Sequence, residues 1–149
     1  QDQEKNYYDA GDSIGLFTLD GISCGVAICY DMDFPEWVRC YAIQGVDILF
    51  APFAWPSEWM HHLEMVQKAR ALENQCFVAS AGLCKSDEDE NYRSGGTSIV
   101  GPHGDFIIKA ESAPGVFTGK VEKETLDEAR KWQHFLKDRR KDLYRKYGF

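Results

Sequence analysis

The sequence predicts an α/β layered domain with an extended sheet, because strands alternate with helices over residues 22–82 and strands then follow one another. Three observations carry this reading. The runs ISCGVAIC (22–29), DILFAPF (47–53) and CFVASAG (76–82) are short, apolar and rich in β-branched residues, as buried strands are. Between them lie two helical segments. Pro35 opens the first and Gly45 closes it, the usual placement of proline in the first turn and glycine just past the last. Ser57 stands before the second, 58–74, which sets Trp59, Leu63, Val66 and Ala69 on one face. Finally, no repeat or linker interrupts the 149 residues, which suffice for a single domain.

In chain order, QDQEKNYYDAGD (1–12) is polar and ends in a Gly-Asp turn, and IGLFTL (14–19) reads as a strand. Asp20-Gly21 is a hairpin turn leading into the first buried strand. After the third buried strand, KSDEDENYRSGG (85–96) is a loop whose acidic run, 87–90, reads as a solvated face rather than a cation site. TSIVGPHGDFII (97–108) reads as two strands around a Gly-Pro-His-Gly turn, and GVFTGKV (115–121) as a further strand. Residues 123–147 are charged, helical to irregular, and read as an exposed tail that docks on something.

Composition narrows the function classes. With 44% hydrophobic and 13% aromatic residues the chain can build a core, which excludes a disordered chain. A net charge of −7 argues against nucleic acid, whose phosphates need a basic surface, and against an anionic membrane surface. No apolar run approaches the roughly 18 residues of a spanning helix. The five cysteines are odd in number, and four of them (Cys24, Cys29, Cys40 and Cys76) sit in apolar segments. That pattern points to free thiols in a reducing cytoplasm rather than a disulfide framework. No C-x-x-C pair occurs, so a zinc site is not expected; no other metal or cofactor is expected.

Cys29 is the chemically notable residue. It lies where a buried strand gives way to a turn, with Pro35 opening a helix six residues later. Side chains there reach the sheet rim, where α/β sites are built, and a thiol there can be activated by a base or a positive field. Taken alone, though, a free cysteine more often packs as a small hydrophobe. Phe53, Ala54 and Trp55, following the next strand, line a pocket or belong to the core. His61 and His62, at a helix start, are placed to meet a substrate carboxylate. His103 and His134 read as surface residues, and Arg70, Glu73 and Asn74 as buried polar contacts that fix helix packing.

The surrounding motifs reverse the odds at Cys29. GVAICYD followed by FPE resembles the nucleophile motif of the nitrilase superfamily, the carbon–nitrogen hydrolases. In the same order, QEKNYYDAGD resembles the stretch with that family's second glutamate, and KARALENQCFVASAG the helix-to-strand segment after the nucleophile. GGTSIVGPHGD resembles its late hairpin and FLKDRRKDLY its C-terminal signature. The resemblance implies an α-β-β-α sandwich that cleaves C–N bonds through a thioester, with Cys29 as nucleophile and Glu4 as the second glutamate. The backbone N–H of Tyr30 would join the oxyanion hole.

That family's general-base glutamate and its lysine lie N-terminal to the matched stretch. Residues 1–149 therefore resemble the C-terminal portion of one such domain, with the N-terminal portion, that glutamate and that lysine expected outside them. Lys5 reads as solvated. Half a sandwich leaves one apolar sheet face unpartnered. CYD, rather than Cys-Trp-Glu, resembles the amidase and carbamoylase branches, which implies a small linear amide or N-carbamoyl substrate. A true nitrilase and a non-catalytic binding or assembly module are the alternatives. The resemblance also implies a homodimer or larger homo-oligomer, with the tail after residue 123 reaching a neighbouring subunit.

Overall fold

The computed structural model describes residues 4–84, 95–110 and 112–148, so the acidic run 87–90 lies outside the described residues. Among the described residues, six strands form one sheet whose spatial order follows the chain, β1 to β6. They are β1 (Leu16–Leu19), β2 (Ile22–Val26), β3 (Ile48–Phe53), β4 (Phe77–Gly82), β5 (Ser98–Val100) and β6 (Phe106–Lys109). The central β2, β3 and β4 are parallel and the outer pairs antiparallel. Helices α1 (Pro35–Ile43) and α2 (Met60–Asn74) are the two crossovers. Successive right-handed crossovers that never reverse strand order put both helices on one face. The β1–β2 turn forms as its sequence dictates: Asp20 and Gly21 have φ of 49° and 80°, the type I′ geometry that matches strand twist.

The register divides the strands into two faces. Gly25, Leu49, Val78 and Val100 lie in line beneath the helices, where Val38, Tyr41 and Ala71 complete the core. Gly25 is required there. A Cβ on it would come within 2.6 Å of the Tyr41 ring, whose hydroxyl donates to the Val26 carbonyl at 2.6 Å. The opposite face carries Phe17, Val26, Ile48, Phe50, Ala79, Ile99 and Ile108. Phe17 stacks on Phe50 with ring centroids 6.3 Å apart, yet remains 45% exposed.

Several expectations are corrected. β2 ends at Val26, and Cys29 belongs to a 3₁₀ turn, Cys29–Asp33. Ser57 does not cap the long helix: a 3₁₀ turn, Ser57–Trp59, precedes it, and no side-chain cap bond forms. The buried face of α2 is Leu63, Gln67, Arg70, Ala71 and Asn74, while Trp59 and Ala69 are exposed. Hydrophobic spacing misplaces this face because polar side chains with specific partners occupy most of it.

Residues 115–121 form no strand. The segment instead lies against the open face, where a Cβ on Gly119 would sit 2.7 Å from Ile108 and 3.2 Å from Ile99. The C-terminal stretch docks, and its first part docks on the same chain rather than standing exposed. Helix α3 (Lys123–Trp132) buries Leu126 and Ala129 against its own chain, and α4 (Lys141–Lys146) follows. Asp47, 4% exposed at the start of β3, accepts from Lys123 at 3.2 Å and Arg130 at 3.1 Å. Gln75 donates to the Ala129 and Gln133 carbonyls at 2.7 Å each. These contacts fix α3 at the N-terminal edge of the parallel strands.

Candidate active site

The opposite, carboxyl edge of those strands holds Cys29. Ile28 is extended, and Cys29 then turns to a φ of +50°, a left-handed conformation that costs a non-glycine residue of order 1–3 kcal/mol. The Asp31 side chain accepts the Ile28 N–H at 2.8 Å, while the Asp31 N–H donates to the Ile28 carbonyl at 2.9 Å. This reciprocal pair closes the turn's entry. Its exit is held from α2. Arg70, 8% exposed, donates through Nε to the Met32 carbonyl at 2.9 Å and through Nη2 to the Asp33 carbonyl at 3.2 Å. Arg70 Nη1 pairs with Glu73 at 3.0 Å, and the Asn74 amide donates to the Arg70 carbonyl at 2.9 Å. The polar residues on the buried side of α2 thus fasten the turn that carries the cysteine.

The sulfur faces aromatic rings. The Trp55 indole N–H donates to Cys29 Sγ at 3.1 Å. Trp55 stacks on His62 with centroids 5.0 Å apart, and Trp59 meets both rings edge-on. His62 Nε2 lies 2.8 Å from Asp33 Oδ1. Phe53, Trp55 and Leu63 form a small apolar cluster with Cys29 and Met60 against it. Gly82 makes room for it, since a Cβ there would stand 2.0 Å from the Gly95 carbonyl oxygen and 2.6 Å from the Phe53 ring.

All five cysteines are free thiols, but their settings differ. Burial pushes the Cys76 thiol up to about 12 and raises that of Cys24 as well, which keeps both protonated and inert. Cys29 is half-buried.

The site therefore gathers Cys29, Phe53, Trp55 and His62, with Tyr30 next in the turn. Phe53 is wedged among core groups, and Ala54 is half-buried on the loop after β3. His61 points outward and is exposed. Glu4 lies in a 3₁₀ turn, Glu4–Asn6, and its side chain lies outside the described residues. Among the described residues, no three His, Cys, Asp or Glu side chains converge as a metal site would need. Asp33 was not anticipated from the sequence. Its signal is an acid four positions after the cysteine, facing a histidine 29 positions away, and nothing local connects the two.

Comparison with known proteins places this geometry in a family. The Carbon-nitrogen hydrolase profile matches residues 1–131. A 2-oxoglutaramate amidase of Bacillus subtilis is 35% identical over 141 residues, 95% of this chain and 54% of that protein. An omega-amidase of Xenopus laevis is 34% identical over 147 residues, 95% of this chain and 52% of that protein. The chain thus spans about half the length of the curated relatives it matches. In a solved structure, a glutamate-to-glutamine variant of an amidase from Nesterenkonia carries the acetamide moiety of fluoroacetamide at its active-site cysteine. That structure is 25% identical, with a TM-score of 0.77 over 97% of this chain and 52% of its own. A mixed sheet with two helices on one face matches the fold of these neighbours, and the chain belongs to the carbon–nitrogen hydrolase family, the nitrilase superfamily, in which it resembles the amidase-like branch.

Proposed function

We propose that the protein is an amidase whose nucleophile is Cys29 and whose substrate is a small linear amide. The observation that carries this is the strained turn at the carboxyl edge of the parallel strands, which presents one half-buried sulfur to a buried N–H donor. In acylation, Cys29 Sγ bonds to the amide carbon and the C–N bond breaks. The departing nitrogen takes the proton that the thiol gives up and leaves as ammonia or an amine. In the second half, a water oxygen bonds to the acyl carbon and the C–S bond breaks, with its electron pair and one proton of the water returning to sulfur. The backbone N–H of Tyr30, first after the nucleophile, is proposed to donate to the oxyanion formed in both halves. Glu4 is proposed, on its motif alone, to orient substrate. The names of the relatives favour the ω-amide of a dicarboxylic acid as the first substrate to try, ahead of N-carbamoyl amines.

The test is ammonia release from such ω-amides by the whole protein and its Cys29→Ala variant. Loss of activity by about a thousandfold or more is expected, with the thermal transition retained. A variant that keeps its turnover would rule out the nucleophile. In the unmodified protein, iodoacetamide should label Cys29 before the other four cysteines.

A further inference from the structure

We propose that Trp55 is a positioning residue for the Cys29 sulfur, acting through its indole N–H, and that the His62–Asp33 pair fixes the indole plane. The inference rests on Cys29 being the nucleophile. Trp55 is 7% exposed, so water competes weakly for its N–H, and a buried indole N–H is costly to leave unpaired. Indole nitrogen is a donor only, so the 3.1 Å contact directs hydrogen at sulfur and favours negative charge there. That charge is needed twice, when thiolate attacks and when it leaves the thioester.

The orientation of the indole is over-determined. His62 stacks on it with an interplanar angle of 29°, and Trp59 closes its edge. Asp33 holds His62 at 2.8 Å. Asp33 is the last residue of the turn that begins with Cys29, and Arg70 binds its carbonyl at 3.2 Å. The contacts therefore close a ring, from Cys29 to Trp55, to His62, to Asp33 and back along the turn. The loop after β3 that supplies Trp55 and the helix that supplies His62 are locked to the two ends of one short segment. The charged groups around this ring are Asp31 at the turn's entry, Asp33 and His62 within it, and Arg70 with Glu73 behind it.

The experiment follows the rate of iodoacetamide labelling of Cys29 against pH, read by mass spectrometry, in the whole protein and in Trp55→Phe. Without the donor, labelling should slow about tenfold at neutral pH, as expected for a lost hydrogen bond to a charged group. It should recover to the unmodified rate at high pH. A curve that superposes on that of the unmodified protein overturns the proposal. A slowing equal at every pH also overturns it, since that reports altered access rather than a lost donor. If Trp55→Phe does not fold, His62→Phe serves, because it keeps a stacking ring but loses the Asp33 contact. A smaller shift in the same direction, about threefold, is then expected, and no shift overturns the proposal. Failure here is separable from failure of the nucleophile assignment. An inactive Cys29→Ala with an unmoved Trp55→Phe curve removes only Trp55's role, whereas an active Cys29→Ala removes both.

Discussion

Arg70 does at the residue scale what no backbone hydrogen bond can do for the turn it faces. One guanidinium satisfies the Met32 and Asp33 carbonyls at once, and its planar fork is suited to that geometry. Arg70→Met should keep the volume but leave both acceptors without their donor. The expected loss is about 2 kcal/mol, or a fall in thermal midpoint of roughly 6 °C for a chain of this size. An unchanged midpoint in a calorimetric scan would show that the clamp is not needed. Reading the sequence placed Arg70, Glu73 and Asn74 in buried polar contacts, yet it missed what they hold. The reason is separation: Arg70 meets Met32 across 38 positions, and Trp55 meets Cys29 across 26. Periodicity marks the apolar side of a helix, which on α2 is not the buried one, and it carries no information on which distant turn a side supports. Cys29 stands out from Cys24 locally by its place where the apolar run gives way to a turn, and its proposed role comes from the ordered motifs around it.

At the scale of elements, α3 is held by one buried carboxylate. Burial alone would raise the carboxyl of Asp47, but the Ser23 N–H, Lys123 and Arg130 together outweigh it and hold it below its usual value. A carboxyl whose folded value is depressed stabilises the fold fully above its unfolded value, near 3.9, and loses that stabilisation as pH falls through the folded value. Asp47→Asn should therefore cost about 2 kcal/mol at neutral pH, with the difference narrowing below pH of about 4. Urea midpoints of the two proteins at pH 7 and in mild acid would check this, and a difference that persists unchanged in acid would contradict it. The sequence marked 123–147 as charged and helical, which is correct for α3 and α4. It did not reveal that Arg130 and Lys123 answer an aspartate that reads, in VDILF, like the polar start of a strand. The strand expected over 115–121 failed for a related reason. Its apolar residues matched a strand pattern, but the segment lies against the open face of the sheet, where Gly119 leaves no room for a Cβ beside Ile108.

For the molecule as a whole, the sheet decides behaviour. The alternation of strands and helices over 22–82 was legible in the three apolar runs, and the Asp20-Gly21 turn in its own chemistry, but the order of strands in the sheet was not read from them. The other face is what the sequence could only imply through the resemblance. Phe17 at 45% and Leu19 at 56% exposure stand on it beside Phe50 and Ile48. Contiguous apolar surface of this kind drives association. Residues 1–149 produced alone should sediment as associated species, and Phe17→Ser combined with Leu19→Ser should shift them towards monomer. A monodisperse monomer of the unmodified chain would contradict this. At the opposite edge of the same sheet from α3, strand ends, turn and α2 converge on one sulfur, and the functional account rests on that atom. The most direct measurement is to treat the whole protein with fluoroacetamide and map the covalent adduct by peptide mass spectrometry. An acetamide moiety is expected on Cys29, with turnover lost in proportion to its occupancy. An adduct confined to another residue, or full turnover with Cys29 completely modified, would contradict it.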